Sequence, residues 1–263
     1  MRNIKLTIEY DGTNYFGWQV QDNVVTIQGT IEEALERLLG EKITLIGSGR
    51  TDRGVHALGQ VANFWTKSNI PGDKFKYALN SLLPDDITIV DSEEVELKFH
   101  SRFHAIKKRY KYLVYNSEMP RALYRNYAYH FPYNLNIDEM IKAAQHFIGT
   151  HDFKAFMAAG SDVKTTVRTI YDFSIVKNKD LIEFSVEGNG FLRNMVRIMV
   201  GTLLNVGIGK INAEDVPKII IEGERKNAGP TIPPQGLYLE KVFYPEKISW
   251  LKKLHVLEYK RVF

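Results

Sequence analysis

Apolar and polar residues alternate over positions 4–10, the period-two signature of a half-buried strand, and over 28–39 Ile31, Ala34, Leu35, Leu38 and Leu39 recur at helical spacing. Residues 43–46 and 58–65 read as strands. A short helix over 75–83 stops at Pro84, and a further strand follows over 87–95. The first hundred residues therefore run β-α-β-β-α-β. The same order returns as a strand over 109–115, a helix over 137–148 closed by Gly149, strands over 166–176 and 181–187, a helix over 190–206 and a strand over 236–243. An extra strand over 127–131 precedes the first helix of this half. The pattern predicts an α+β chain of two ferredoxin-like halves, each an antiparallel sheet with helices packed on one face, the sheets meeting at a central cleft. The domains are expected at 1–104 and 105–245, with a basic tail over 246–263. No sequence repeat links the halves, so the duplication is one of pattern.

Composition narrows the classes of chemistry. With 44% hydrophobic and 25% charged residues among 263, the chain has the make-up of a folded globular protein. Its formal charge of +4 suits a polyanionic partner without demanding one. It has no cysteine, which excludes a disulfide framework, a thiolate nucleophile, an iron–sulfur cluster and a cysteine zinc site. The N-terminus runs directly into a strand pattern, and Arg193 and Arg197 interrupt the longest apolar stretch. A soluble cytoplasmic protein with no membrane segment is the expectation.

The segment from Gly49 to Ala57 sets Asp52 between Arg50 and Arg53 in a glycine-bounded loop. A neighbouring guanidinium favours the ionised carboxylate, and flanking glycines let a tight turn present it to a ligand; a solvated turn has the same composition. Arg197 lies among apolar residues on nearly every side of its helix, so it needs a carboxylate (Asp52, Glu187 or Glu183) or must reach the surface along its stem. The strand Lys107-Lys108-Arg109-Tyr110-Lys111-Tyr112 puts Lys108, Tyr110 and Tyr112 on one face and Arg109 and Lys111 on the other. A base can stack on such an aromatic, and the cations can meet phosphates. Gln19, Gln21 and Gln28, with Tyr15 and Trp18, give the first loop an amide and aromatic content suited to sugars, phosphates or bases. On a strand His100 and His104 would stand about 13 Å apart, too far to share an ion. Gly47-Ser48-Gly49 opens no dinucleotide fingerprint and no P-loop is present.

Taken in order, Y-D-G-T-N-Y-F-G-W-Q, G-R-T-D-R-G-V-H-A, K-R-Y-K-Y, F-L-R-N-M-V-R and P-P-Q-G-L-Y-L resemble the motifs of the tRNA pseudouridine synthase A family over residues 7–243. The resemblance implies two ferredoxin-like halves and isomerisation of uridine to pseudouridine at positions 38 to 40 of the tRNA anticodon stem-loop. It also implies a homodimer working without cofactor or metal. Carried over by motif, Asp52 is the catalytic aspartate, Tyr110 stacks on the target uracil, Arg197 partners Asp52, and Arg50 assists extrusion of the base. Arg50, Arg53, Lys107, Lys108 and Lys111 are the expected phosphate contacts, with Gln19, Gln28 and Arg193 also expected to bind RNA. Arg53 and Ile232 stand where the family usually has Ala, the first adding a positive charge beside Asp52. An RNP1 consensus is absent, and no second carboxylate accompanies Asp52 as a glycosidase would require.

Overall fold

The computed structural model describes residues 1–160 and 163–246. The first half comprises β1 (Arg2–Tyr10), α1 (Ile27–Leu39), β2 (Ile46–Gly47), β3 (His56–Thr66), α2 (Phe75–Asn80) and β4 (Ile87–Val95). The second comprises β5 (Lys107–Asn116), β6 (Tyr129–Phe131), α3 (Ile137–Gln145), β7 (Gly149–Asp152), β8 (Val167–Asn178), β9 (Leu181–Gly188), α4 (Met195–Gly207), α5 (Val216–Glu222) and β10 (Leu237–Phe243). In the first half the strands order as β4-β1-β3, with β2 beside β3; in the second they order as β10-β5-β9-β8. Each half thus places its fourth strand beside its first and its third beside its second, as the ferredoxin-like pattern requires. The basic tail expected over 246–263 lies outside the described residues apart from Glu246.

The two sheets do not remain separate. β10 pairs in parallel with β3 through Tyr238 opposite His56 and Leu239 opposite Ala57, which fuses them into one ten-stranded sheet. β2 pairs with β3 at Asn63 and Ala62, so β2 and β10 divide the available length of one partner. The strand predicted over 43–46 is present only as Ile46–Gly47. The loop between β2 and β3, which carries Asp52, therefore emerges at the seam.

Periodicity located the helices but not all their ends. Thr26 caps α1 by accepting from the Gly29 amide, and Gly40 closes it in the left-handed conformation (φ 71°). The helix expected over 190–206 begins only at Met195, because Asn194 itself adopts φ 61° and turns the chain before the helix starts. The short strand β7 and the seven-residue α5 were not anticipated. One contiguous core joins both halves, from Ile4, Leu6 and Ile8 on β1 to Phe184 on β9 and Ile198 on α4, all fully buried. Burying each such side chain is worth roughly 1.5–3 kcal/mol.

A polar joint pins the seam from one side. Buried His56 accepts from the Gly12 amide through Nδ1 (3.0 Å), donates Nε2–H to the Asn126 carbonyl (2.8 Å) and stacks on Tyr238 with ring centroids 4.8 Å apart. Tyr238 donates to the Tyr127 carbonyl (2.7 Å), and Tyr127 donates to Asp11 (2.7 Å). Burial pushes His56 below the usual histidine range, against the opposing pull of Asp11 3.1 Å away. With Nδ1 already accepting from Gly12, the ring is neutral.

Candidate active site

The motifs scattered along the chain converge on the Asp52 loop. Gly54 takes φ 74° within a turn closed by the Val55 amide on the Asp52 carbonyl (3.1 Å). Glycine meets that conformation without the cost a β-carbon would bring. The first loop wraps this turn: Trp18 donates its amide to the Thr51 carbonyl (3.1 Å), and a β-carbon on Gly12 would fall 2.0 Å from the Val55 carbonyl oxygen. Tyr10, at the end of β1, bonds the Thr51 hydroxyl at 2.8 Å. On the other flank, Gln60 receives the Ser48 hydroxyl (2.6 Å) and donates to the Gly49 carbonyl (3.0 Å).

The P-P-Q-G segment closes the assembly. The Pro233 carbonyl accepts from Tyr112 (2.6 Å), and the Pro234 ring lies against Gly54. The Ile232 carbonyl accepts Nε of Arg197 at 2.6 Å. A second guanidinium nitrogen of Arg197 donates to Asn194 Oδ1 (2.8 Å), so the left-handed Asn194 that delays α4 also orients the arginine. Of the three carboxylates considered for Arg197, Glu187 is engaged by Lys107 and Arg109, and Glu183 by Lys111. Asp52 is the acid whose charge acts on Arg197. Burial pulls the guanidinium below its ordinary range, while Asp52 and Tyr112 pull the other way. The interaction acts through space, since Arg197 spends its resolved bonds on Ile232 and Asn194.

Asp52 is half-buried, and among the described residues no group donates a hydrogen bond to its carboxylate. Tyr110 is 8% exposed and packs edge-to-face on Phe191 at 5.0 Å. Its hydroxyl makes no hydrogen bond, yet no buried side-chain polar atom of the described residues lacks a partner; the phenol oxygen therefore opens to solvent. Burial raises the Tyr110 phenol above its usual range, with Tyr10 and Asp52 adding to the shift, and Tyr10 is raised by its own burial. Both remain neutral phenols. The result is an unengaged carboxylate, a neutral phenol and a fixed guanidinium at one place on the seam. Such a set can attack or stabilise an electron-poor carbon and relay a proton.

The remaining expected residues divide by location. Arg50, Arg53, Arg193 and Gln19 are exposed. Arg53 lies over the Phe16 ring, 4.1 Å from its centroid, so Arg197 rather than this sequence neighbour has the resolved electrostatic link to Asp52. Lys107 and Lys111 occupy the face of β5 opposite Tyr110, on glutamates of β9. Gln28 is tied to Glu32 (2.8 Å) and the Leu45 carbonyl (3.1 Å), bracing its own loop. Lys108 shares the Tyr110 face and donates to the Ser48 carbonyl (2.8 Å). Tyr10, Asn194 and the Ile232 carbonyl were not identified beforehand, although Tyr10 opens the first motif. Among the described residues no group of three His, Asp or Glu side chains could hold a metal ion, and no helix is long and apolar enough to cross a membrane.

A family model described as tRNA pseudouridine synthase matches residues 6–104 and 143–245. Curated relatives called tRNA pseudouridine synthase A are 58% identical in Acetivibrio thermocellus, 54% in a Thermoanaerobacter species and 56% in Caldicellulosiruptor bescii. Each match spans 244 residues, covering 93% of this chain and all of the relative. The chain belongs to the tRNA pseudouridine synthase family. It is accordingly an enzyme, an isomerase, and the matched stretches of this synthase contain Asp52 in the first and Arg197 in the second. Tyr110 falls between the matched stretches, on β5, the strand beside β10 on the second half's side of the seam.

Proposed function

We propose that this synthase converts uridine to pseudouridine in tRNA at positions 38 to 40 of the anticodon stem-loop, with Asp52 as the catalytic carboxylate and no cofactor. The observation that carries the reading is the Asp52 carboxylate, half-exposed and free of donors, set with the Tyr110 phenol and the Arg197 guanidinium. The reaction breaks the N1–C1′ bond, turns the uracil and joins C5 to C1′, with C5 giving up its proton and N1 taking one up, so that the composition is unchanged. The base must leave its stack for this, and an exposed cation such as Arg50 can occupy the space it vacates. The Tyr110 ring offers a stacking face. Asp52 supplies the negative charge for attack on the substrate or for support of charge developing at C1′.

An A-form stem is read through shape and phosphates, since its major groove is closed to side chains. Arg50, Arg53 and Arg193, exposed and outside any ion pair among the described residues, are the phosphate contacts this reading favours, together with Gln19. Lys107, Lys111 and Gln28 are already engaged within the protein and are not needed for it. The homodimer and cytoplasmic setting that the resemblance implies complete the proposal, and sedimentation of the purified chain tests the first. The decisive experiment is tritium release from C5-labelled uridine in a tRNA transcript. Release by the native protein and none by Asp52→Asn, with tRNA binding retained, supports the reading; release by Asp52→Asn refutes it.

A further inference from the structure

Lys108 is a half-buried cation beside the site for which the reaction has no evident use. It projects from β5 on the same face as Tyr110, and its ammonium donates to the Ser48 carbonyl at 2.8 Å. Unlike Lys107, Arg109 and Lys111 on the same strand, it has no carboxylate partner among the described residues. Arg102 is the charge that acts on it, and that charge is repulsive. Burial first, then Arg102, push Lys108 down to about 8. A lysine held at such a cost, with its nitrogen turned inward onto a backbone carbonyl, is badly placed to reach a phosphate.

Gly49 gives the second observation. Its φ lies outside the left-handed region, so the backbone there would accept any residue. A β-carbon at Gly49 would nevertheless sit 2.6 Å from Nζ of Lys108. The glycine therefore leaves the space that the ammonium fills, and a methyl there would turn the flexible end of Lys108 off the Ser48 carbonyl. Ser48 and Gly49 lie four and three residues before Asp52, and Gln60 holds the same two residues.

We propose that Lys108 is a positioning residue for the isomerisation, its ammonium clamping the Ser48 carbonyl so that the loop presents Asp52 beside Tyr110, and that Gly49 is glycine to admit that ammonium. The inference rests on Asp52 as the catalytic group. A loop displaced by about 1 Å can cost on the order of a hundredfold in rate. The test measures single-turnover tritium release at saturating enzyme, together with tRNA affinity over a range of salt, for Lys108→Met, Gly49→Ala and the double variant.

Each single variant is expected to slow turnover by roughly ten- to a hundredfold while leaving affinity and its salt dependence unchanged. In the double variant the Gly49→Ala loss should vanish, because no ammonium is left to displace. Three results would each overturn the proposal. One is a rate within about threefold of native in either single variant; another is losses that multiply in the double variant. The third is weaker binding with the salt slope reduced by about 0.7–0.9, the mark of a lost phosphate contact. Should Lys108→Met fail to fold by thermal melting, Gly49→Ala, which keeps the charge and the backbone, decides alone on rate and salt slope. Asp52→Asn run in parallel separates the two claims. An active Asp52→Asn sinks the reading of the site, whereas an inactive one beside a fully active Lys108→Met sinks only the role of Lys108.

Discussion

Replacing Arg197 with methionine should separate catalysis from stability. The change removes two charge-assisted hydrogen bonds, to Ile232 and Asn194, each worth about 1.5–3 kcal/mol. Two opposing effects offset most of that. The guanidinium is held below its ordinary pKa chiefly by burial, so the fold already disfavours its charge, and methionine relieves the desolvation. Arg197 also lies in the first turn of α4, where the macrodipole disfavours a cation by about 0.3–1 kcal/mol. The net change in stability should stay within about 2 kcal/mol, a shift in melting temperature under roughly 8 °C for a chain of this size. Turnover should fall about 10²–10³-fold, the scale for losing one preorganised electrostatic group. Melting curves and single-turnover tritium release measure the two quantities on one preparation. A rate within tenfold of native refutes the electrostatic role of Arg197, and melting lowered by more than about 15 °C makes the residue chiefly structural.

Tyr110→Phe keeps the ring on Phe191 and removes a hydroxyl that bonds nothing, so melting should be unchanged while tritium release drops by about 10²–10⁴-fold; an unchanged rate leaves Tyr110 with stacking alone. Gly12→Ala drives a methyl into the Val55 carbonyl and should cost about 1–3 kcal/mol by thermal unfolding, with a larger loss of turnover than of tRNA affinity. Burial holds His56 low, and His100 is pushed down to about 4 by burial, then His104 and Arg102. Below a pH of about 6.5 the unfolded chain takes up protons that these buried rings refuse, so stability should fall as pH drops from 7 toward 4. A double His56→Gln, His100→Gln variant should show a shallower fall in melting temperature, and an identical slope would place the titration elsewhere. Arg50→Ala should lower the salt slope of tRNA binding by about 0.7–0.9, whereas Lys107→Ala, whose charge is already met by Glu187, should leave it unchanged.

Much of this architecture was legible in the sequence because it rests on short-range pattern. The period-two run of β5 correctly put Lys108 with Tyr110, and the helical spacing of Ile31, Ala34 and Leu35 marked the buried face of α1. Non-local contacts carry no such signal. The two residue pairs that join β3 to β10 leave no trace in either strand, yet they turn two expected sheets into one and set the Asp52 loop at the seam. The neutralisation of Lys107 depends on Glu187 arriving from β9, eighty residues on, through a register that only the folded sheet specifies. The role of Arg197 was half legible. Its burial demanded a partner, but the bonds that orient it go to a backbone carbonyl and an asparagine, which no search for carboxylates would find.

Several departures from local rules gather around the Asp52 site. Asn194 takes a left-handed conformation and gives α4 no side-chain cap, and two residues of chain separate it from a cation set against the helix dipole. Lys108 is half-buried beside a repelling arginine, and Gly49 is glycine without needing the torsion. Each of these departs from the preference of its own element, and the bond between Arg197 and Asn194 is the one local compensation. Departures of this kind are expected to gather at functional sites, where the fold as a whole holds groups in positions that local preference opposes. The pattern makes a prediction about composition. Substitutions that restore the local rule, such as methionine at 108 or 197, should be tolerated by the fold far better than by the reaction. A scan in which those substitutions cost more in melting temperature than in turnover would show that the strain is structural, and that the clustering around Asp52 is not catalytic in origin.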